Sequence, residues 1–282
     1  AGGRLVFHGD LSAPCGPAQR RLSVRITGVK SHGATAKPEG YLNATVIAAR
    51  ALGRLAGDDA ILPVLMRSDP LAETHGTLEV RLCGAGTAEL DAAEARLVAA
   101  LDTEIDGARW RGASLTLTPE GTDSLATTAL SLALAHIRAL LTSDGPTPVL
   151  SEDSEGREGY TNPYFLQPAP EAEGAIALSY RIRDFDSDGL RARQEHIERL
   201  VKASPSPADA TFTDQYVNMG PALSRYPELV AWAQQALEPL GVTGRRDPIR
   251  GGTGVDPFLE RGIGIANLGT GYFAPESEKE LT

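Results

Sequence analysis

The sequence predicts an α/β protein made of two tandem β-α-β-β-α units followed by a further α/β segment, and three observations predict it. Strand-like and helix-like stretches alternate from Arg4 to Thr213. The pattern repeats: Ser23-Val-Arg-Ile-Thr before a helix is echoed by Ser114-Leu-Thr-Leu-Thr before a helix. Likewise Gly76-Thr-Leu-Glu-Val-Arg-Leu, with its turn and long helix, is echoed by Gly174-Ala-Ile-Ala-Leu-Ser-Tyr and its helix. After Asn218 the texture changes, and glycine-rich turns follow strand-like stretches, where open α/β sheets place ligands.

Each element has its own signal. Arg4 to Phe7 and Arg21 to Val29 alternate apolar and polar residues, as half-buried strands do. Tyr41 to Ala56 carries apolar residues at helical spacing and stops at Gly57. Ile61 to Met66 and Gly76 to Cys83 read as strands, Ala88 to Ile105 as a helix with acids on its polar face, Ala113 to Thr118 as a strand and Asp123 to Leu141 as a helix. Gly174 to Ile182 is a strand, Asp188 to Lys202 a helix and Ala210 to Thr213 a short closing strand. Such units make sheets with helices on one face. Between them, Pro146 to Pro170 holds five prolines and the acidic run Ser151 to Gly159, which reads as a long, functional or solvated loop. Beyond Asn218, Tyr226 to Leu240 and Pro257 to Arg261 read as helices, and Asp247 to Arg250 and Ile263 to Leu268 as strands.

A chain of 282 residues suggests about two domains of ordinary size. Its net charge of -10 argues against nucleic-acid or anionic-membrane partners, which need a basic face. No apolar run approaches the roughly 20 residues that cross a bilayer. Cys15 and Cys83 lie far apart without C-x-x-C spacing. They are expected to be reduced, in a cytoplasmic protein, with a disulfide as the alternative. The chain opens on a strand-like stretch without a leader pattern, and both ends are expected to be cut ends of something longer.

The stretch Pro248-Ile-Arg-Gly-Gly-Thr-Gly-Val-Asp256, with Ile265-Ala-Asn-Leu-Gly-Thr-Gly271 after it, sets an arginine beside glycine turns. Guanidinium and exposed backbone N–H groups together suit a carboxylate or an oxyanion. His32 sits in a polar loop leading into a helix near Asn43, where an imidazole can donate to a developing oxyanion. The histidines at 75, 136 and 196 lack ligand spacing and read as surface or core residues; no H-E-x-x-H, G-x-S-x-G or Walker pattern occurs.

Five motifs in order carry a resemblance. They are Ser31-His-Gly-Ala-Thr-Ala-Lys with Asn43-Ala, Glu155-Gly-Arg-Glu-Gly-Tyr160, Tyr180-Arg-Ile-Arg-Asp-Phe-Asp186, Asp214-Gln-Tyr-Val-Asn-Met219 and Pro248 to Thr253. Together the chain resembles the peptidase T (tripeptide aminopeptidase) family of dinuclear zinc peptidases, related to aminoacyl-histidine dipeptidases and succinyl-diaminopimelate desuccinylase. The resemblance implies an α/β zinc-peptidase catalytic domain with an inserted, enlarged lid. On that map residues 1–18 are a catalytic-domain remnant and 19–214 a double-sized lid and dimerisation domain, with repeats at about 19–112 and 113–214. Residues 215–282 are then the C-terminal part of the catalytic domain.

It further implies zinc-dependent hydrolysis of short peptides, with two zinc ions and a homodimer. His32 would polarise the scissile carbonyl, and Arg183 and Arg250 would bind the peptide carboxylate. Asn218 would orient the peptide, and Thr253 and Gly271 would shape the pocket floor. Glu276 falls where the last zinc ligand, a histidine, is expected; Gly254 stands where the family has an aspartate, and the family's other metal ligands have no counterpart here. A non-catalytic binding or dimerisation module, or an N-acyl amino acid deacylase, are the alternatives.

Overall fold

The computed structural model describes residues 1–11, 15–30, 41–69, 72–119, 126–146, 159–204, 208–215, 218–246 and 253–269. It is mixed α/β with two four-stranded antiparallel sheets. The first is ordered β3-β4-β2-β5, from β2 (Ala18–Thr27), β3 (Ile61–Ser68), β4 (His75–Gly84) and β5 (Ser114–Thr118). The second is ordered β6-β7-β1-β8, from β1 (Gly2–Phe7), β6 (Tyr160–Pro168), β7 (Ile176–Arg183) and β8 (Ala208–Thr213). Four helices cover one side: α1 (Ala44–Arg54), α2 (Thr87–Ile105), α3 (Thr128–Thr142) and α4 (Ser187–Ala203). They pack side by side in the order α2-α1-α3-α4.

The two sheets are copies of one topology, strand-helix-strand-strand-helix-strand, with the first strand inside and the last at an edge. The duplication expected from sequence is present, but it is nested and not tandem. Ser114–Thr118 does not open a second unit; it pairs with β2, Ser23 opposite Thr118, and closes the first sheet. The opening strand of the second unit is β1, hydrogen-bonded between β7 and β8. The whole first unit is therefore inserted between β1 and α3. The sequence echo misled because a central and a closing strand of one sheet show the same period-two pattern.

One apolar core runs beneath both sheets. It joins Leu22, Val24, Ile26, Leu78 and Leu82 of the first to Leu5, Phe7, Leu178, Tyr180 and Ile182 of the second, through the small and branched residues of α1 and α3. The outer strands β3 and β6 lie against each other, and each carries a bulge just after a proline, Pro63 and Pro163. Proline has no N–H for a ladder, so it is tolerated at such edges. The same reasoning corrects the expected loop at Pro146 to Pro170, since Tyr160–Pro168 is an edge strand despite its prolines. Asn43 caps α1 by accepting from Val46 N at 2.6 Å, Thr127 caps α3 and Asp186 caps α4, which is why these helices begin where they do.

Beyond β8 the described chain forms α5 (Gly220–Leu223), α6 (Pro227–Leu237) and α7 (Asp256–Glu260). Asp247 to Arg250 lies outside the described residues. Ile263 to Leu268 forms no strand, because no neighbouring strand among the described residues takes up its backbone groups. Among the described residues no helix is long and apolar enough to cross a membrane.

Cys15 and Cys83 are joined in a disulfide, their Cα atoms 5.5 Å apart. This overturns the reduced state expected from their spacing: β2 pairs with β4 from Ala18 opposite Gly84, which brings the chain just before β2 onto the end of β4. Closing a loop of this length restrains the unfolded chain by about 4 kcal/mol in the chain-entropy description. Reduction, or the Cys83→Ala change, is expected to lower Tm by on the order of 10 °C. A calorimetric scan with and without reductant that shows no change would contradict it.

Core residue His136 lies against Phe7 and Tyr180, with ring centroids 5.6 and 6.1 Å away, and its Nε2 has no hydrogen-bond partner among the described residues. Burial, and then the nearby His196, push its pKa down from 6.5 to about 4. The folded state thus holds it neutral while the unfolded chain takes up a proton. The stability this confers is complete above pH 6.5 and is lost as pH falls from 6.5 to about 4, by roughly 3 kcal/mol in all. Urea melts at pH 7 and pH 4.5 should show a smaller acid loss for His136→Leu than for the parent; equal losses would remove His136 as the cause.

Candidate functional site

The side of the sheets away from the helices is where polar groups gather. Alternation along β7 sends Leu178, Tyr180 and Ile182 into the core and Ser179, Arg181 and Arg183 to the open face. Register then sets Arg4 of β1 between Ser179 and Thr211, and Gly2 between Arg181 and Thr213. The result is a shallow groove of about 310 Å³ lined by Gly2, Arg4, Tyr164, Ser179, Thr211 and Gln215 among others. That is at the small end of the usual range for ligand sites.

Glycine lets neighbouring side chains close in on β1: a Cβ on Gly2 would stand 2.9 Å from Gln215 Nε2 on the open face, and one on Gly3 would stand 3.0 Å from the Phe212 ring on the core side. In the first sheet the bulges align Val80 with Tyr180, so Arg21 and Leu22 stand where Gly2 and Gly3 stand in the second.

Arg183 rises at one end of the groove. Its Nη1 donates to the carbonyls of Ala1 and Ile182, each at 3.1 Å, and to Gln215 Oε1 at 3.0 Å. Next to it on the same face, Arg181 lies 4.1 Å over the Tyr164 ring and pairs with Glu73. Glu73 is the hub of a buried network that joins the two units. Its Oε1 accepts from the Tyr41 hydroxyl and, at 3.2 Å, from Asn162 Nδ2. Asn162 Oδ1 in turn accepts from Asn43 Nδ2 at 2.8 Å. Burial, and then the Glu73 carboxylate, hold the Tyr41 phenol well above its ordinary pKa, so it remains a hydrogen-bond donor.

None of the described residues singled out from sequence lines this groove; Arg183 adjoins it through its bond to Gln215. Asn218 is exposed, and its Oδ1 accepts from Gly220 N at 2.9 Å to start α5. Thr253 Oγ1 accepts from Asn267 Nδ2 at 2.8 Å, linking the two glycine-rich stretches. His32, Arg250, Gly271 and Glu276 lie outside the described residues. The two acids of the Arg-Asp-Phe-Asp motif have structural work: Asp184 pairs with buried Arg193 at 2.7 Å, and Asp186 caps α4. Gly2, Arg4, Arg181, Gln215 and the Glu73 network were not visible as a site in the sequence. The alternation in Tyr180-Arg-Ile-Arg was the one signal that Arg181 shares a face with Arg183.

Two duplicated split β-α-β sheets, with a groove lined by polar groups on the open face of one, define a mixed α/β module. No family model matches the chain. It is similar in sequence to the peptidase T group: 32% identical over 137 residues to peptidase T of Pectobacterium atrosepticum, covering 46% of this chain and 33% of that protein. Against peptidase T of Pasteurella multocida the figures are 31% over 142 residues, 48% and 34%. The chain thus spans about a third of the length of these curated relatives. In fold it is similar to aminoacylhistidine dipeptidase from Vibrio alginolyticus, with a TM-score of 0.64 at 15% identity, over 99% of this chain and 56% of that one. The likeness to peptidase T-like metallopeptidases read from the motifs is therefore upheld.

Glu73→Gln removes the charge that pairs with the partly exposed Arg181, while the amide oxygen can still accept from Tyr41 and Asn162. It is expected to cost about 1 kcal/mol of stability, read as a fall in the urea midpoint. Pairing it with Arg181→Gln should restore part of the loss; a double variant no better than the single would dissolve the coupling.

Proposed function

We propose that this chain is the lid and substrate-binding part of a peptidase T-like zinc peptidase that hydrolyses short peptides from the N-terminus. The observation that carries the reading is the polar groove, with Arg183 bonded to its lining residue Gln215, on a chain with peptidase T sequence likeness. A peptide's terminal carboxylate is planar and matches the guanidinium fork. Gln215 and the hydroxyls of Thr211, Thr213 and Ser179 offer donors and acceptors for the peptide backbone. In this reading the lid, mapped from the motifs to about 19–214, takes in β1 as well, because β1 completes the second sheet. In the same reading His32 polarises the scissile carbonyl, Arg250 joins Arg183 in binding the peptide carboxylate, Asn218 orients the peptide, and Thr253 and Gly271 shape the pocket floor.

Residues from 215 onward form part of a catalytic α/β domain. Their apolar surface supports this: α6 buries none of its residues among those described, and Trp232, Leu240, Val242 and Ile263 are all more than half exposed. The remaining part of that domain would cover them. Zinc belongs to the proposal through the family. Among the described residues no three His, Cys, Asp or Glu side chains converge as a metal requires, so they do not fit such a centre, and no step is routed through zinc. Homodimerisation and a cytoplasmic setting remain part of the same proposal.

The test is kinetic, on the natural protein that contains this chain. Arg183→Met is expected to raise KM for free tripeptides about tenfold to a hundredfold with little change in kcat, the loss of charge-assisted hydrogen bonds made equally to substrate and transition state. An unchanged KM takes Arg183 out of the site. Absence of hydrolysis across tripeptides but turnover of N-acyl amino acids would favour the deacylase, and turnover of neither would favour a binding module.

A further inference from the structure

Arg4 stands in the middle of β1 on the open face, with Ser179 directly across on one side and Thr211 on the other. Among the described residues that line the groove it is the one charged side chain, and none of them is a carboxylate. Its present partner is Glu171, at 2.5 Å, with side chains 36% and 48% exposed. An ion pair that open is weak and exchangeable, so a ligand carboxylate can take the place of Glu171. The hydroxyls flanking Arg4 add neutral donors that such a carboxylate can use without charge repulsion.

The spacing to Arg183 gives the ligand its length. Arg4 is level with Ser179, four residues before Arg183 on β7. At ~3.3 Å per residue along a strand, that is about 13 Å. An extended peptide covers at most ~3.3–3.6 Å per residue, so the interval suits three residues together with the reach of one acidic side chain. Between the two arginines stand Gly2 and, across from it, Arg181; the exposed Gln215 side chain lies over Gly2 and swings aside for a bound main chain.

We propose that Arg4 is a second carboxylate receptor, and that the groove selects tripeptides with an acidic first residue, whose side chain reaches Arg4 while the terminal carboxylate is held by Arg183. This rests on the reading of the groove as a peptide site and goes beyond it in naming the specificity and the residue that sets it. The first sheet offers no equivalent, because Ser23 stands at the position corresponding to Arg4. Nothing in the proposal depends on a metal or on turnover, so it can be examined on this chain.

Titration calorimetry of the 282-residue chain with Glu-Ala-Ala and Gln-Ala-Ala decides it. Glu-Ala-Ala should bind about tenfold more tightly, as one charge-assisted contact warrants. Arg4→Met should remove that preference while leaving Gln-Ala-Ala binding in place, and Glu171→Gln, which frees Arg4 without touching the groove floor, should widen it. Arg183→Met should weaken both peptides alike. Equal affinities for the two peptides, or a preference that survives in Arg4→Met, overturn the role of Arg4 and leave the peptide groove standing. If neither peptide binds, the inference and the groove reading fall together.

Discussion

The hydrogen-bonding of β1 between β7 and β8 is the constraint on which the rest of this structure depends. Without β1 the second sheet would be split, with β8 detached and both Tyr180 and Leu178 lacking Leu5 and Phe7 beside them in the core. Because β1 precedes the entire first unit in sequence, its place forces that unit to be inserted within the second. It also supplies the groove: Gly2 and Arg4 reach the open face only in this register, since a slip of one residue would turn them inward and bring Leu5 out.

Insertion of one unit into another raises the question of how the two hold a fixed relation. Their adjacent edge strands are not hydrogen-bonded into one sheet, and the proline bulges explain why. Two other devices fix them. The shared apolar layer of α1 and α3 is non-directional and resists separation but not sliding. The network of Tyr41, Asn43, Glu73, Asn162 and Arg181 is directional, because each donor has one acceptor position that satisfies it. It draws on the start of α1 and the turn before β4 in the first unit, and on β6 and β7 in the second. Arg181 belongs both to this network and to the face that carries Arg183, so the geometry of the groove is tied to the way the units meet. The disulfide at the foot of β2 anchors the inserted unit near the point where the chain enters it.

Much of this was legible from the chain. Period-two and period-3.6 patterns located most of the strands and helices, and the duplication was visible in the echo between the Gly76 and Gly174 stretches, which become β4 and β7. What local pattern could not supply was partner choice: Ser114–Thr118 looks like an opening strand because nothing in five alternating residues says which neighbour they take. Tyr160–Pro168 was hidden by its prolines, which an edge with a bulge accepts. Of the residues near the groove, a motif named Arg183 alone, whereas Gly2 and Arg4 become meaningful only when a strand from the opposite end of the sequence is laid beside β7. The cysteines show the same limit, since a separation of 68 residues gives no hint of the strand pairing that closes it.

The most direct measurement is amide chemical-shift mapping of this chain during titration with triglycine, a peptide with no side chain to favour one arginine over another. Shifts are expected at Gly2, Gly3, Ser179, Thr211, Thr213 and Gln215, with Arg21, Ser23 and Glu79 of the first sheet unmoved. Shifts confined to the first sheet, or to the helical side, would contradict the assignment of the open groove on the second sheet as the peptide site.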